Sequence, residues 1–366
     1  MENKKKLISY WPILIVLIAS VGYLVFRLEK YDWDPLALAE LGTRYSESDP
    51  DGSEGYDGQF AYYVAIEPNP EDVEDNLDVP AYRYQRILYP LVARVLSFGN
   101  TNWIPWTLIF VNLFAILIAT WVLTHYLLAI GISPRYTLIY GLWAGVVVGV
   151  GTDLYEPLAF ALAISAWQAR RTCRFKLSYL FLTLALLTKE IMIAFWIAAV
   201  ISDVTQRRDR VGWVEMIVPG LVFSLWQIWL WTAFGNLGFV SGGAMATPFE
   251  IFPYFGFLRI GGASIGALLL FALIFGPTII FPSLWGIISS AHRLLKGDRS
   301  VHLWLLLINC LLIVFLPHST FREPLGLLRV GTGMVLAILF FAAHHRMQRA
   351  LNYSMFWIPL LAILLA

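Results

Sequence analysis

Long apolar runs are the feature that most restricts what this chain can fold into. We count eleven of them in 366 residues, and several are long enough to cross the ~30 Å hydrocarbon core of a bilayer. Hydrophobic residues make up 58% of the chain and charged residues only 14%, whereas a soluble domain carries about 25% charged residues. A water-soluble core of this composition would leave too little polar surface to cover it. The sequence therefore predicts an all-α polytopic membrane protein.

Short polar segments separate the apolar runs. The runs cover residues 7–26, 103–130, 136–152, 157–169, 177–187, 191–202, 211–234, 263–290, 301–316, 325–343 and 352–366. Polar clusters interrupt the pairs 136–152/157–169 and 177–187/191–202, which could be hairpins or broken helices. We expect about eleven transmembrane helices in one integral membrane domain over residues 1–366.

Basic residues mark one side of the predicted membrane. With a cytoplasmic N-terminus, every dense Lys/Arg cluster falls in an inner loop, as the positive-inside rule requires. These residues are Lys4, Lys5, Lys6, Arg135, Arg170, Arg171, Arg174, Lys176, Arg207, Arg208, Arg210, Arg293, Lys296, Arg299, Arg346 and Arg349. An odd number of spans and a cytoplasmic N-terminus therefore support each other.

Acidic residues concentrate on the predicted outer side. The large first loop, residues 27–102, holds fifteen of the 25 acidic residues. Within it, residues 83–98 are predicted to form one amphipathic helix of the kind that lies in the headgroup layer. Its polar face consists of Arg83, Arg86, Arg94 and Ser97. Either this face is solvated and anchors the loop, or Arg83 or Arg86 contacts a lipid phosphate.

Ionisable residues also interrupt the apolar runs at outer turns. They are Asp57, Asp153, Glu156, Lys189, Glu190, His318, Arg322, Glu323 and Arg329. An ionised group at membrane depth costs ~2.5–3.5 kcal/mol on insertion scales, so it needs a partner or a function. Each residue alone would suit an ordinary helix end in headgroup water. The recurrence of acids and bases at successive outer turns, beside aromatic residues, favours a functional cluster.

Sugar transfer from a polyprenyl-phosphate carrier requires three kinds of group. A carboxylate takes the proton of the attacking acceptor, and fixed cations stabilise the phosphate as negative charge builds on it. An apolar groove holds the prenyl chain. Asp57 can supply the carboxylate, and the spans can supply the groove. The cations can come from Lys189, Arg322 and Arg329.

Topology and two short motifs resemble the GT-C class of membrane glycosyltransferases. Residues 57–65 (DGQFAYYVA) are similar to the Asp-x-x-aromatic pattern of the large outer loop in the mannosyltransferase-like branches. Residues 188–190 (TKE) are similar to a basic-acidic step after a central span in the same branches. The resemblance covers most of the chain in topology, but only these segments in motif.

The resemblance implies an inverting hexosyltransferase that acts on the extracytoplasmic face. Asp57 would be the general base, and Asp153 or Glu156 the second acid, which positions the acceptor or a divalent ion. Asp32 and Asp34 stay open as an alternative base because they lie nearer the end of the first span. The donor phosphate would be bound by Lys189, Arg322, Arg329 and Arg86. The other substrate contacts would come from Gln59, Tyr63, Glu190 and His318.

The sequence assigns no cofactor with certainty, although clustered acids allow a divalent cation, Mg²⁺ or Mn²⁺. The implied partners are a polyprenyl-phosphate sugar donor, a glycan, lipid or protein acceptor, and membrane lipid, with no nucleic acid. Compact loops favour a bacterial inner (plasma) membrane. The Gly- and aromatic-rich segment 242–257 is compatible with two interpretations, a flap over the substrate or an ordinary connection between spans. Another lipid-linked transferase or ligase and a secondary transporter are the competing classes.

Overall fold

The computed structural model describes residues 10–206 and 211–365. Within these ranges every regular element is helical and no strand is present. The predicted all-α class is confirmed for this part of the chain. Six basic residues of the topology prediction lie outside the described residues, namely Lys4, Lys5, Lys6, Arg207, Arg208 and Arg210.

The α-helices vary from single turns to long rods. In chain order they are α1 (Trp11–Lys30), α2 (Thr43–Ser46), α3 (Gly58–Ile66), α4 (Pro70–Val73), α5 (Pro80–Tyr84), α6 (Leu88–Leu96), α7 (Ile104–Ala129), α8 (Leu138–Gly141), α9 (Ala144–Val147), α10 (Glu156–Arg171), α11 (Phe175–Thr188), α12 (Ile193–Thr205), α13 (Trp213–Phe234), α14 (Phe255–Leu258), α15 (Ile260–Ala263), α16 (Ile265–Phe275), α17 (Phe281–Leu295), α18 (Val301–Val314), α19 (His318–Arg322), α20 (Pro324–His344) and α21 (Gln348–Met355). Short 3-10 helices cover Pro35–Ala39, Glu74–Asn76, Thr101–Trp103, Pro134–Thr137, Val148–Val150, Glu190–Met192, Gly238–Val240 and Ile358–Leu365, and a π-helical turn covers Gly276–Ile280.

Apolar helices indicate that the protein is embedded in a membrane. Five stretches of the described chain are long and apolar enough to cross one, namely Trp11–Lys30, Thr101–Ala129, Trp213–Phe234, Ile265–Leu295 and Pro324–His344. Only 22% of the residues in the most apolar 18-residue stretch of α13 are buried. Its exposed residues include Ile217, Leu221, Leu225 and Ile228. Soluble monomers rarely expose an apolar face of this extent. Lipid is the solvent that such a face requires.

The chain divides into two compact units. The first comprises Met1–Leu123, Val146–Met192 and Trp213–Ala244. The second comprises Thr124–Gly145, Ile193–Gly212 and Met245–Ala366.

In the first unit, α3 is buried on two sides. Phe60 and Val64 belong to one apolar cluster, and Ala61 and Ala65 belong to another. Residues four apart lie on the same side of a helix, so each pair lines one buried face. α3 begins directly after Asp57, so the aromatic residues of the segment 57–65 lie on a helix.

α10 and α11 form a hairpin in the same unit. α10 begins at Glu156 with Pro157 in its first turn, where the missing N–H of proline costs no helical hydrogen bond. α11 ends at Thr188 because Lys189 adopts an extended backbone, with φ −159° and ψ 129°. The start of α10 and the end of α11 lie at the same end of the hairpin, which brings Glu156 and Lys189 together.

In the second unit, α18 packs against α12, α17 and α20. The apolar run 136–152 forms no single long helix but only the short helices α8 and α9 with 3-10 turns at its ends, and within the second unit the chain leaves helical geometry near Trp143. The Trp143 indole donates a 2.9 Å hydrogen bond to the Leu328 carbonyl. A Cβ at Gly145 would overlap the same carbonyl. The chain therefore leaves helical geometry at the point where it packs closely against α20.

The amphipathic helix predicted for residues 83–98 is wrong in two respects. The chain forms α5 and α6 with a turn at residues 85–87 between them. Arg83 and Arg86 are buried instead of lying on a solvated or headgroup-facing surface. Arg94 also turns inward, donating to two carbonyl groups at the C-terminal end of α3. The physical reason is that all three guanidinium groups find acceptors inside the protein.

Candidate functional site

Asp57 is the most accessible member of a charged network in the first unit. It occupies the N-cap position of α3, and its side chain is 26% exposed. Arg83 Nη1 donates a 2.8 Å hydrogen bond to Asp57 Oδ1. Because the Arg83 side chain is only 8% exposed, Asp57 connects a buried cation to the surface of the unit.

Arg83 is shared by two carboxylates. Its Nε and Nη2 donate to the two oxygens of Asp78 across 2.6 and 2.8 Å, and its guanidinium lies 4.1 Å from the centre of the Phe60 ring. Burial acts to raise the pKa of Asp78, but the hydrogen bonds and charge of Arg83 hold that pKa below its usual value. Arg83 is therefore one guanidinium group shared by two carboxyl groups.

Asp78 also holds the last residues of the unit. The Ala244 N–H donates a 3.1 Å hydrogen bond to Asp78 Oδ2. A Cβ at Gly243 would lie 3.0 Å from Arg83 Nη2, so a glycine allows the backbone to approach the guanidinium closely. The first residues of the segment 242–257 are therefore held against the charged network.

A second guanidinium–carboxylate pair joins α5–α6 to the end of α11. Arg86 Nε and Nη2 donate to the two oxygens of Glu190 across 2.8 and 2.6 Å. Nη2 also donates to the Tyr82 hydroxyl. Burial acts to raise the pKa of Glu190, but the charge and hydrogen bonds of Arg86 hold that pKa below its usual value. Glu190 is therefore held as an ionised carboxylate.

The third pair lies deepest. The Lys189 ammonium donates to Glu156 Oε1, and the side chains are 6% and 0% exposed. Removing two charges from water is costly unless they pair well. This pair stabilises the unit only while both partners are present.

Asp153 is buried differently from the other acids. It is fully buried in the turn before α10, at a left-handed φ of 49°. Neither carboxylate oxygen has a hydrogen-bond partner within the described residues. Burial raises the pKa of Asp153 well above its usual value, and the charge of Arg27 opposes that rise only in part. The structure thus favours a protonated Asp153.

Electrostatic contacts join the pairs into one network. Tyr155 lies within electrostatic range of Asp57, Arg83, Arg86 and Glu156. Glu190 interacts with Arg86 and with its neighbour Lys189. Five of the residues expected at one site therefore lie together in the first unit, namely Asp57, Arg86, Glu156, Lys189 and Glu190. Arg86 and Lys189, expected to bind phosphate, are already paired with carboxylates.

Three other predicted residues belong to the second unit. His318 Nδ1 lies 2.9 Å from the Gly256 carbonyl oxygen. Arg322 is exposed on α19, where it makes no hydrogen bond or ion pair within the described chain, and Arg329 is buried on α20. Of these, only Arg322 offers an exposed cation without a partner.

Gln59 and Tyr63, expected to contact substrate, lie in the interior of the first unit. Gln59 is fully buried, accepts from the Gly42 N–H and donates to the Glu54 carbonyl. Tyr63 is buried in an apolar cluster around α3. These positions suit support of the first loop better than contact with a ligand.

The sequence did not single out Asp78, Tyr82 or Tyr155. Asp78 precedes Pro80, the first residue of α5, and that helix start is the local signal that an acid there could reach Arg83. Tyr82 and Tyr155 resemble the many aromatic residues of the interfacial belts, and no local signal separates them. Their roles depend on pairings between distant segments.

No group of three or more His, Cys, Asp or Glu residues in the described ranges is arranged to hold a metal ion. No family model matches the chain, and no curated protein or solved structure is significantly similar to it. Its class therefore rests on its apolar helices and on the charged network.

Proposed function

We propose that this protein is a membrane glycosyltransferase that moves a sugar from a polyprenyl-phosphate carrier to an acceptor on the extracytoplasmic face. One observation carries the proposal, namely a partly exposed carboxylate, Asp57, fixed by the buried Arg83 in a membrane-embedded chain. The proposal includes the finer topology of about eleven spans with a cytoplasmic N-terminus, in a bacterial inner membrane.

Asp57 acts as the general base. It takes the proton from an acceptor hydroxyl, whose oxygen attacks the anomeric carbon as the bond to the carrier phosphate breaks, with inversion at that carbon. A positioned base contributes ~10²–10⁴ in rate. Arg83 fixes the carboxylate in one orientation before the substrate arrives, which is the preorganisation that such a step needs.

The leaving phosphate needs positive charge as it departs. We assign this role to Arg322 on the sequence alone; within the second unit its side chain is exposed and makes no ion pair with the described residues. Arg86 and Lys189 keep a supporting role, since Glu190 and Glu156 already neutralise them. Arg322→Ala is expected to lower kcat, because the contact strengthens as the phosphate departs, and to raise the KM for donor more than the KM for acceptor.

The decisive experiment uses the full-length protein in lipid nanodiscs. Radiolabelled polyprenyl-phosphate hexoses are supplied with a panel of glycoside acceptors, and new glycosidic linkages are detected by chromatography. Asp57→Asn should lower transfer by ~10²–10⁴. The variant should fold, because Arg83 keeps its bidentate pairing with Asp78.

Asp51→Asn is the matched control because Asp51 is an exposed acid of the same loop. It should transfer sugar at the wild-type rate. Full activity of Asp57→Asn would exclude Asp57 as the base, and a loss of kcat in Asp32→Asn or Asp34→Asn would move the base there. If no donor gives a new glycosidic linkage, the proposal is wrong.

A proton-coupled transporter is the second candidate, and Asp153 is the observation that favours it. A buried carboxyl group with a raised pKa suits reversible protonation inside a membrane protein. The two candidates differ in their product. A transporter in proteoliposomes would move labelled solute across the bilayer with its linkages unchanged, and Asp153→Asn would stop that movement.

A further inference from the structure

A groove lies beside the start of α3 in the first unit. Its volume is about 510 Å³, which falls in the range of small-molecule binding sites. Its polar lining comes from Tyr31, Asp34, Glu40 and Ser53, and Leu36 and Leu41 add apolar surface. The charged network described above uses none of these residues.

The groove shares a wall with the loop that carries Asp57. Gly55 lines the groove, and Asp57 follows two residues later. Between them, the Tyr56 N–H donates a 2.9 Å hydrogen bond to the Glu40 carbonyl. A ligand in this groove would therefore lie next to the segment that holds the proposed base.

The lining favours a neutral ligand rich in hydroxyl groups. Arg27 neutralises Glu40 through an ion pair. Asp34 Oδ1 accepts from the Leu36 N–H at 2.9 Å, while Oδ2 has no partner within the described residues and can accept another hydrogen bond. Ionised carboxylates only accept hydrogen bonds, so they suit hydroxyl donors. The uncompensated negative charge of Asp34 disfavours a phosphate.

The backbone around the groove is unusual as well. Asp32, Trp33 and Glu40 have φ values of 51°, 64° and 52°, in the left-handed region that residues other than glycine rarely adopt. Such residues concentrate at ligand sites, where surrounding structure holds them in place.

We propose that this groove binds the acceptor, a neutral polyhydroxylated ligand such as a sugar, and excludes the anionic donor head. The role of this ligand as the acceptor rests on the proposed function, whereas the binding of a neutral glycoside in the groove does not. Binding and transfer are therefore measured separately.

Saturation-transfer NMR on the full-length protein in nanodiscs provides the binding test. The probes are methyl α-mannopyranoside, methyl α-glucopyranoside, mannose 6-phosphate and tetramethylammonium. A methyl glycoside should bind best. Ala37→Phe, which adds bulk to the lining without removing a polar contact, should weaken glycoside binding by at least about tenfold, or about 1.4 kcal/mol.

Asp34 is the N-cap of the 3-10 helix Pro35–Ala39, and Asn caps helices as well as Asp does, so Asp34→Asn isolates the effect of the charge. It should weaken glycoside binding and reduce the discrimination against mannose 6-phosphate. Asp51→Asn, outside the groove, is the control for both readouts. In the transfer assay, Ala37→Phe should raise the KM for acceptor at least tenfold, with a smaller change in the KM for donor.

The outcomes separate the two proposals. If the protein transfers sugar but both groove variants leave glycoside binding and the KM for acceptor unchanged, the groove assignment alone is overturned. Tighter binding of tetramethylammonium or of the phosphate than of either glycoside would also overturn it. If Ala37→Phe removes glycoside binding but the wild-type protein forms no new linkage with any donor, the groove is confirmed as a glycoside site and the transferase proposal is overturned.

Discussion

The ion-paired network and the turn that carries Asp153 are both buried, yet their acids behave in opposite ways. Arg83 and Arg86 hold the pKa values of Asp78 and Glu190 below their usual range, against the effect of burial. Asp153 has no hydrogen-bonding partner within the described chain, and burial raises its pKa. The presence or absence of a charged partner therefore decides whether the pKa of these acids is lowered or raised.

The paired carboxylates of the network thus have a fixed charge, whereas the charge of Asp153 can change. A paired carboxylate keeps its charge across the physiological pH range and forms part of a permanent field. An unpaired buried carboxyl group can gain or lose a proton when a nearby charge moves. Variants of each region test this distinction.

The largest effect is expected from Lys189→Met. This change removes the ammonium group paired with Glu156, whose side chain is 0% exposed. The expected loss is about 3–5 kcal/mol in the free energy of unfolding, measured by thermal unfolding in nanodiscs. The double variant Lys189→Met/Glu156→Gln should recover most of it. Equal instability of the single and double variants would contradict the importance of pairing.

A smaller effect with a distinctive pH dependence is expected from Asp153→Asn. The raised pKa in the folded protein means that wild-type stability is fully present below the unfolded pKa, about 3.9, and falls as pH rises towards the folded pKa. The variant lacks this loss, and Asn tolerates the left-handed backbone. Its Tm should therefore exceed that of the wild type increasingly as pH rises. A Tm difference that is constant with pH would show that Asp153 does not titrate.

The smallest effect is expected at an exposed pair. Arg44 and Glu54 form an ion pair in the first loop with side chains 42% and 44% exposed. Water screens such pairs, so Glu54→Gln should change stability by no more than about 1 kcal/mol. A loss as large as that of Lys189→Met would mean that burial is not what distinguishes the network.

The sequence predicts the parts of this structure that depend on local patterns. The apolar runs 103–130, 211–234 and 325–343 identify α7, α13 and α20. The break near Trp143 escapes prediction because its cause is packing against Leu328, far away in the chain.

The candidate site is predictable only in outline. Arg86, Lys189 and Glu190 can be assigned to one side of the membrane, but the sequence cannot reveal which acid neutralises which base. The basic face of residues 83–98 illustrates the difficulty, since an inward-facing and an outward-facing polar face give the same periodicity. The acceptors inside the protein, including Asp78 and Glu190, decide between them.

The sharing of Arg83 has a consequence for turnover. If Asp57 takes up a proton, its hold on the guanidinium weakens, but Asp78 still grips the same cation through two hydrogen bonds. The Arg83 guanidinium therefore keeps a carboxylate partner in the interior. In the proposed reaction, Asp78 would remain the counter-ion of Arg83 while Asp57 gains and loses a proton, so the surrounding helices would not have to rearrange.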